Sequence, residues 1–260
     1  MITILPADLV PALNSEVRKV TTLRPNRTLA GLPLLVALLG STATAIAAGK
    51  PDPNGQPVTG TATLGLYAGL AAAAVAAVLF GALGSGGEYR HHTMPVTALF
   101  APDRDRLAAA KLLVTAGFAL ATALAVEVGA LVALFGFGRG KFEIGLNLFG
   151  VLGGGLLAVV CWSLIGAGLG LLLRSSSNAI WLVVGWLVLI EPLCWLVADG
   201  IGASAFVSLF PGSATLSAVA VGSYPDSDFL APTPAALVIL LLWTVGIAGA
   251  GWWALRSRDL

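Results

Sequence analysis

The sequence predicts an all-α membrane protein with six transmembrane helices, and three observations predict it. The 260 residues are 57% apolar even before 32 glycines are added, and the mean hydropathy is +0.92. Only 10% are charged, against about 25% in soluble domains. Too few polar groups remain to coat a soluble globule of this size. That excludes a disordered chain, a nucleic-acid-binding domain and an ordinary soluble enzyme. The second observation is six apolar stretches of the length, about 20 residues, that crosses a hydrocarbon core of about 30 Å. The third is a concentration of basic residues on alternate connections between those stretches.

The chain divides into an amino-terminal segment 1–27, a spanning region 28–255 and a tail 256–260. The opening residues, Met1 to Leu5, lack the basic start and the longer apolar run of a secretory signal, so the amino terminus is expected to stay cytoplasmic. Residues 8–23 predict an amphipathic helix. Asp8 is its cap, and Pro11 is tolerated in its first turn. Leu9, Leu13, Val17 and Val20 fall on one face, and Asn14, Ser15, Arg18 and Lys19 on the other. A helix of that kind lies flat at headgroup level; a plain flank that orients the first span has the same composition.

The six expected spans are Thr28–Ala48, Ala62–Leu83, Ala108–Phe137, Leu148–Leu173, Ala179–Ala198 and Ala235–Leu255. With the start inside, the inner segments hold Arg18, Lys19, Arg24, Arg27, Arg90, Arg104, Arg106, Lys111, Arg174, Arg256 and Arg258. The outer segments hold Lys50, Arg139 and Lys141. Basic side chains accumulate on the cytoplasmic side of membrane proteins, so both termini are expected inside. The stretch Gly200–Gly222 is nearly long enough for a seventh span, which would put Arg256 and Arg258 outside. It also contains Pro211-Gly212 and four serines. It is therefore read, within an outer segment 200–234, as a broken hairpin entering the outer leaflet. Irregular backbone at that depth must be buried in protein or line a cavity. Small-residue pairs such as Gly65/Gly69 and Gly166/Gly170 let helix backbones approach closely, and packing within the chain is the expected use.

The inner loop 84–107 is the most polar part of the chain. Glu88, Tyr89, Arg90, His91, His92 and Thr93 cluster there, Pro95 separates them from the apolar run Val96–Phe100, and Pro102-Asp103 opens the third span. Plain connections need only a few residues, so the length, mixed charge and aromatic content suit docking of a soluble partner. Two adjacent histidines without a third ligand do not make a metal site. The two cysteines lie in apolar runs, which argues against a disulfide framework or thiolate site.

At these residues the sequence resembles the permease subunit of ATP-binding-cassette transporters, of the type-two exporter family of small bacterial transporters. The likeness rests on Ser15-Glu16-Val17-Arg18-Lys19 with Thr22-Leu23-Arg24, and on Gly87-Glu88-Tyr89-Arg90-x-x-Thr93. Pro102-x-Arg104, Ala110-Lys111, Glu191-Pro192 and Leu209-Phe210-Pro211-Gly212 follow in order. The resemblance implies that the amino-terminal helix is a connecting helix. It implies that the loop from Glu88 to Phe100 contains a coupling helix that docks on a separate nucleotide-binding (ATPase) subunit through Glu88, Tyr89, Arg90, His91 and Thr93. The segment Phe206–Val219 becomes an outer re-entrant hairpin, with Phe206, Phe210 and Pro211 as gate candidates. Two permease chains and two ATPase chains then form the working unit, in a bacterial cytoplasmic membrane, with ATP and Mg on the partner and no cofactor on this chain.

The residues themselves exclude several activities. A phosphate-binding loop needs Gly-x-x-x-x-Gly-Lys-Ser/Thr, but Gly49-Lys50 is followed by Pro51 and Gly140-Lys141 by Phe142. No His-Glu-x-x-His is present, and both histidines lie in the inner loop rather than in a span. No catalytic residue and no metal ligand is assigned. Glu127 and Glu191 remain inside apolar spans, where an ionisable group is costly and defaults to a functional hypothesis. One reading has both facing a translocation pathway. The other has them as neutral or hydrogen-bonded structural groups. Pro192 is expected to kink the fifth span.

These observations predict a passive gate that exports a hydrophobic small molecule (a drug, an antibiotic or a lipid) using ATP hydrolysed elsewhere. The alternatives are a proton-coupled secondary transporter using Glu127 and Glu191, or a non-transporting membrane assembly or sensor protein.

Overall fold

The computed structural model describes residues 9–49, 59–94, 97, 103–221 and 229–258. Asp8, Lys50, Pro95, Val96, the stretch 98–102, Gly222 and the last two residues of the tail lie outside them.

Among the described residues every regular element is a helix, and six are long and apolar enough to cross a membrane. The chain is a multi-pass membrane protein. Helix α1 (Val10–Thr22) precedes the first spanning helix, α2 (Arg24–Ala47). A short turn α3 (Thr59–Ala62) leads into the second, α4 (Leu64–Arg90). The third and fourth are α5 (Arg104–Phe137) and α6 (Leu146–Leu173). The fifth is composite: α7 (Ser176–Gly185), a π-helical turn (Trp186–Ile190) and α8 (Glu191–Gly200). Two short helices, α9 (Ser204–Val207) and α10 (Pro211–Val219), come before the sixth, α11 (Thr233–Ser257).

The spans coincide with the expected ones to within a few residues, and most differences lengthen them. Helix α4 continues seven residues past Leu83 to Arg90, and α5 begins at Arg104 rather than Ala108. Hydropathy ends a span where the side chains turn polar, but backbone hydrogen bonding does not stop there. Asp103 caps α5 through bonds from the Asp105 and Arg106 backbone N–H groups at 3.1 and 3.3 Å. Proline does not break the fifth span. Pro192 has no N–H to donate, and one wide π-helical turn absorbs the misfit just before it.

Helix α4 is the hinge of the packing, lying between α2 and α6. A Cβ on Gly65 or Gly69 would collide with α2 at Ser41 or Ala37, and one on Gly81, Gly166 or Gly170 would collide across the α4–α6 contact. Small-residue spacing thus brings backbones together within the chain. Helix α6 is the centre: 67% of its most apolar 18 residues are buried, against 11% in the fifth span.

One end of the bundle gathers α1, the end of α4, the start of α5, the joint between α6 and α7, and the end of α11. It is called the basic end below. Bonds from Lys111 to Glu16, from Arg104 to the Leu255 carbonyl and from Arg258 to the Leu172 carbonyl tie these elements together. At the opposite end Lys141 donates to the carbonyls of Ala45 and Ala48.

Candidate functional site

The basic end holds a group of four charges, three of them buried and Lys19 partly exposed. Lys111 follows Ala108-Ala109-Ala110 into the third span and is only 2% exposed. Its Nζ donates to Glu88 Oε1 at 2.8 Å, Glu16 Oε2 at 3.1 Å and the Gly84 carbonyl at 3.3 Å. Lys19 Nζ donates to Glu16 Oε1 at 2.6 Å and to the same Glu88 Oε1 at 2.7 Å. Two ammonium groups and two carboxylates balance. The lysines share their acceptors, so no member sits in low dielectric without a counter-charge. For Lys19, burial works against the charged form, but the carboxylates of Glu16 and Glu88 outweigh it and hold the ammonium above its ordinary value near 10.5.

This network decides which face of α1 turns inward. Glu16 is buried against the bundle, whereas Val17, on the expected apolar face, is 45% exposed. The ion pair to Lys111 turns the Glu16 side of α1 toward the bundle. Above the network lies a cavity of about 550 Å³ bordered by Arg90, His91, Thr93 and Asn26.

The predicted partner-facing residues therefore have different roles in the fold. Glu88 is buried in the network, while Arg90 and His91 are exposed. Tyr89 lies under Arg174, whose guanidinium carbon is 5.6 Å from the ring centre. Thr93 closes the end of α4 by donating its backbone N–H to the Glu88 carbonyl at 2.9 Å. The Thr97 backbone N–H donates back to the Thr93 carbonyl at 2.9 Å; the rest of the apolar run Val96–Phe100 falls outside the described residues.

A second constellation lies towards the opposite end. Glu191 is 3% exposed and accepts four hydrogen bonds. Ser213 gives Oε1 its backbone N–H at 2.5 Å and its hydroxyl at 3.0 Å; Gly212 N–H and Trp186 Nε1 give Oε2 theirs at 3.1 Å each. The carboxylate thus sits at the N-terminus of α10, where unpaired N–H groups and the helix dipole favour negative charge. A Cβ on Gly212 would strike it. Three more indoles hold the same segment. Trp195 donates to Ser213 Oγ at 3.0 Å, Trp162 to Thr215 Oγ1 at 2.9 Å and Trp243 to the Leu209 carbonyl at 2.9 Å. These tryptophans act as internal clamps. Trp181 and Trp253, 71% and 66% exposed, fit the anchor role.

Of the gate candidates, Phe210 and Pro211 are buried and Phe206 is exposed. Phe210 meets Trp186 edge-on at 5.4 Å and Phe206 at 5.5 Å. Glu127 joins neither constellation. It is 5% exposed, beside Gly155 in the core between α5 and α6, and its Oε1 has no partner among the described residues.

Two further cavities flank α4. One of about 320 Å³ lies between α4 and the fifth span, lined by Val75, Val78, Leu79, Trp162, Val183 and Leu187, with Glu191 and Trp195 at its edge. The other, about 840 Å³ at the end opposite the basic one, is bordered by Thr63, Tyr67, Glu143 and Asn147. No three His, Cys, Asp or Glu side chains among the described residues gather as metal ligands do.

No protein-family model matches the sequence, and no curated protein matches it. Lys111, Glu16, Lys19, Ser213 and Trp162 were not expected as site residues. A lysine three residues inside an apolar run was the legible signal for the first. The others depend on contacts between distant parts of the chain.

Proposed function

We propose that this chain is the membrane-spanning permease subunit of an ATP-driven exporter, and that a separate nucleotide-binding subunit supplies the power stroke. The observation that carries the reading is the buried Lys111–Glu16–Glu88–Lys19 network. A permease must turn a push on a polar surface into movement of its spans. Here α1 acts as the connecting helix, and the polar end of α4 leads into the coupling segment. The network welds both to the start of α5, so displacement of either moves two spanning helices. Exposed Arg90 and His91 border the adjoining cavity, where a partner can reach them.

The cavity between α4 and the fifth span suits cargo. Its walls are aliphatic and aromatic, which favours a hydrophobic small molecule over a sugar or an ion. The fifth span is the least buried within the chain, and a second permease chain against it would close the cavity from the lipid. The α9–α10 segment, clamped by Glu191 and the indoles, then serves as the outer re-entrant gate.

The test is to isolate the tagged chain from its own membrane in mild detergent and identify what accompanies it. An ATPase with a phosphate-binding loop is expected, and its hydrolysis is expected to fall several-fold with Lys111→Met. Recovery of the chain with no nucleotide-binding subunit refutes the reading. Glu127 favours a second reading, a proton-coupled carrier, because its carboxyl oxygen is buried without a partner. Transport driven by a proton gradient with no ATPase present selects it.

A further inference from the structure

At the basic end, three arginines gather around one tyrosine. Tyr89 ends α4, Arg104 begins α5, Arg174 joins α6 to α7, and Arg258 follows α11. Arg174 stacks over the Tyr89 ring, and the charges of Glu88, Arg104 and Arg258 also reach the tyrosine. Five of the six spans thus contribute an end to one spot.

The cluster carries surplus positive charge. None of Arg104, Arg174 or Arg258 forms an ion pair with a carboxylate among the described residues. Of the nearby acids, Glu88 pairs through Oε1 with two lysines while its buried Oε2 has no hydrogen-bond partner among the described residues, and Asp105 is held by Trp252 at 2.8 Å and Arg256 at 3.8 Å. Arg104 and Arg258 spend donors on carbonyls at helix ends. Arg174 Nη2 and the Tyr89 hydroxyl are both buried, and neither has a hydrogen-bond partner among the described residues. Buried donors rarely stay unpartnered. Arg174 also holds a left-handed backbone, φ 52°, a conformation glycine adopts more readily.

We propose that these groups bind the phosphate of an anionic phospholipid from the leaflet that meets the basic end. A guanidinium fork and a phenolic hydroxyl match phosphate oxygens, and basic pockets between spans capture lipid headgroups. The surroundings favour a lipid over a soluble anion. Leu173, 38% exposed, adjoins Arg174, and exposed Trp253 lies four residues before Ser257, marking headgroup depth. Acyl chains would continue from the phosphate along apolar helix surface. The site does not depend on an ATPase partner.

The experiment titrates the full chain in mild detergent with dioleoyl phosphatidylglycerol, with phosphatidylcholine of the same chains, and with inorganic phosphate. Native mass spectrometry counts retained lipid. Phosphatidylglycerol is expected to be retained at roughly five-fold lower concentration than phosphatidylcholine. Arg174→Gln is expected to weaken that retention about ten-fold and Tyr89→Phe about two- to three-fold, whereas exposed Arg18→Gln leaves it unchanged. Tyr89→Phe removes one oxygen only, so it reports even if Arg174→Gln folds poorly. Equal retention of the two lipids, or undiminished phosphatidylglycerol retention in Tyr89→Phe and Arg174→Gln, overturns the proposal. Displacement of the lipid by millimolar inorganic phosphate assigns the site to a free anion and overturns it too.

Discussion

The carboxylate of Glu191 and the first turn that contains Ser213 are joined by two hydrogen bonds, at 2.5 Å from the backbone N–H and 3.0 Å from the hydroxyl. Twenty-two residues separate them in sequence. The contact makes an intramembrane glutamate the anchor of a helix that itself crosses nothing. It also favours one of the two readings of Glu191, since a carboxylate with four donors is hydrogen-bonded into the structure. It also borders the 320 Å³ cavity between α4 and the fifth span.

Replacing Glu191 by alanine strands the Gly212 and Ser213 N–H groups and removes an anion from a helix N-terminus. Loss of about 2–4 kcal/mol is expected, read as a lower apparent Tm in detergent. Glu191→Gln keeps one acceptor and should lose roughly half as much. Ser213→Ala keeps the backbone bond and should lose about 1 kcal/mol. An unchanged Tm in Glu191→Ala would refute the anchoring role.

Lys111→Met leaves Glu16 and Glu88 buried with only Lys19 between them. Breaking a buried ion pair on one side costs about 3–5 kcal/mol. The double variant Lys111→Met with Glu88→Gln removes one charge of each sign and should recover much of that loss. Thermal unfolding of the single and double variants measures the coupling. A double variant no more stable than Lys111→Met contradicts the network.

Gly81 and Gly117 lie in neighbouring spans but differ in surroundings. A Cβ on Gly81 meets the Ser163 carbonyl of α6, whereas one on Gly117 meets nothing within 4 Å. Gly81→Val should prevent the α4–α6 contact and reduce the yield of folded protein sharply. Gly117→Ala should be neutral or stabilise by about 0.5–1 kcal/mol through helix propensity. Size-exclusion profiles and Tm after extraction separate the two. Equal tolerance would mean that α4 and α6 are further apart than described.

Glu127→Gln preserves shape and removes only the ability to ionise. For an ATP-driven permease it should fold normally and retain transport within about two-fold, because its Oε1 has no hydrogen-bond partner to lose among the described residues. For a proton-coupled carrier it should abolish transport. Flux in reconstituted vesicles distinguishes the two outcomes.

Much of the site was not legible in the sequence. Glu88 and Tyr89 stood out as a polar cluster, yet nothing local says that Glu88 turns inward to two lysines while Tyr89 turns to Arg174. Adjacent residues on a helix point about 100° apart, and neighbouring helices decide what each meets. For the same reason nothing local showed that Glu16, next to Val17 on α1, faces the bundle. Pro192 was legible as a helix irregularity, but the π-helical turn at 186–190 just before it was not.

The linear chain by itself determined the solvent, the number of spanning helices and the crowding of basic side chains at one end. Lipid imposes these on every residue independently: a backbone in hydrocarbon must be helical here, its side chains apolar, and its length close to the bilayer's thickness. Tertiary structure alone decided which buried ionisable groups acquire partners. Lys111 meets Glu16 across 95 residues, Glu191 meets Ser213 across 22, and Glu127 Oε1 meets no described partner. Such meetings depend on rotation and depth of whole helices, which close glycine contacts set and composition does not record.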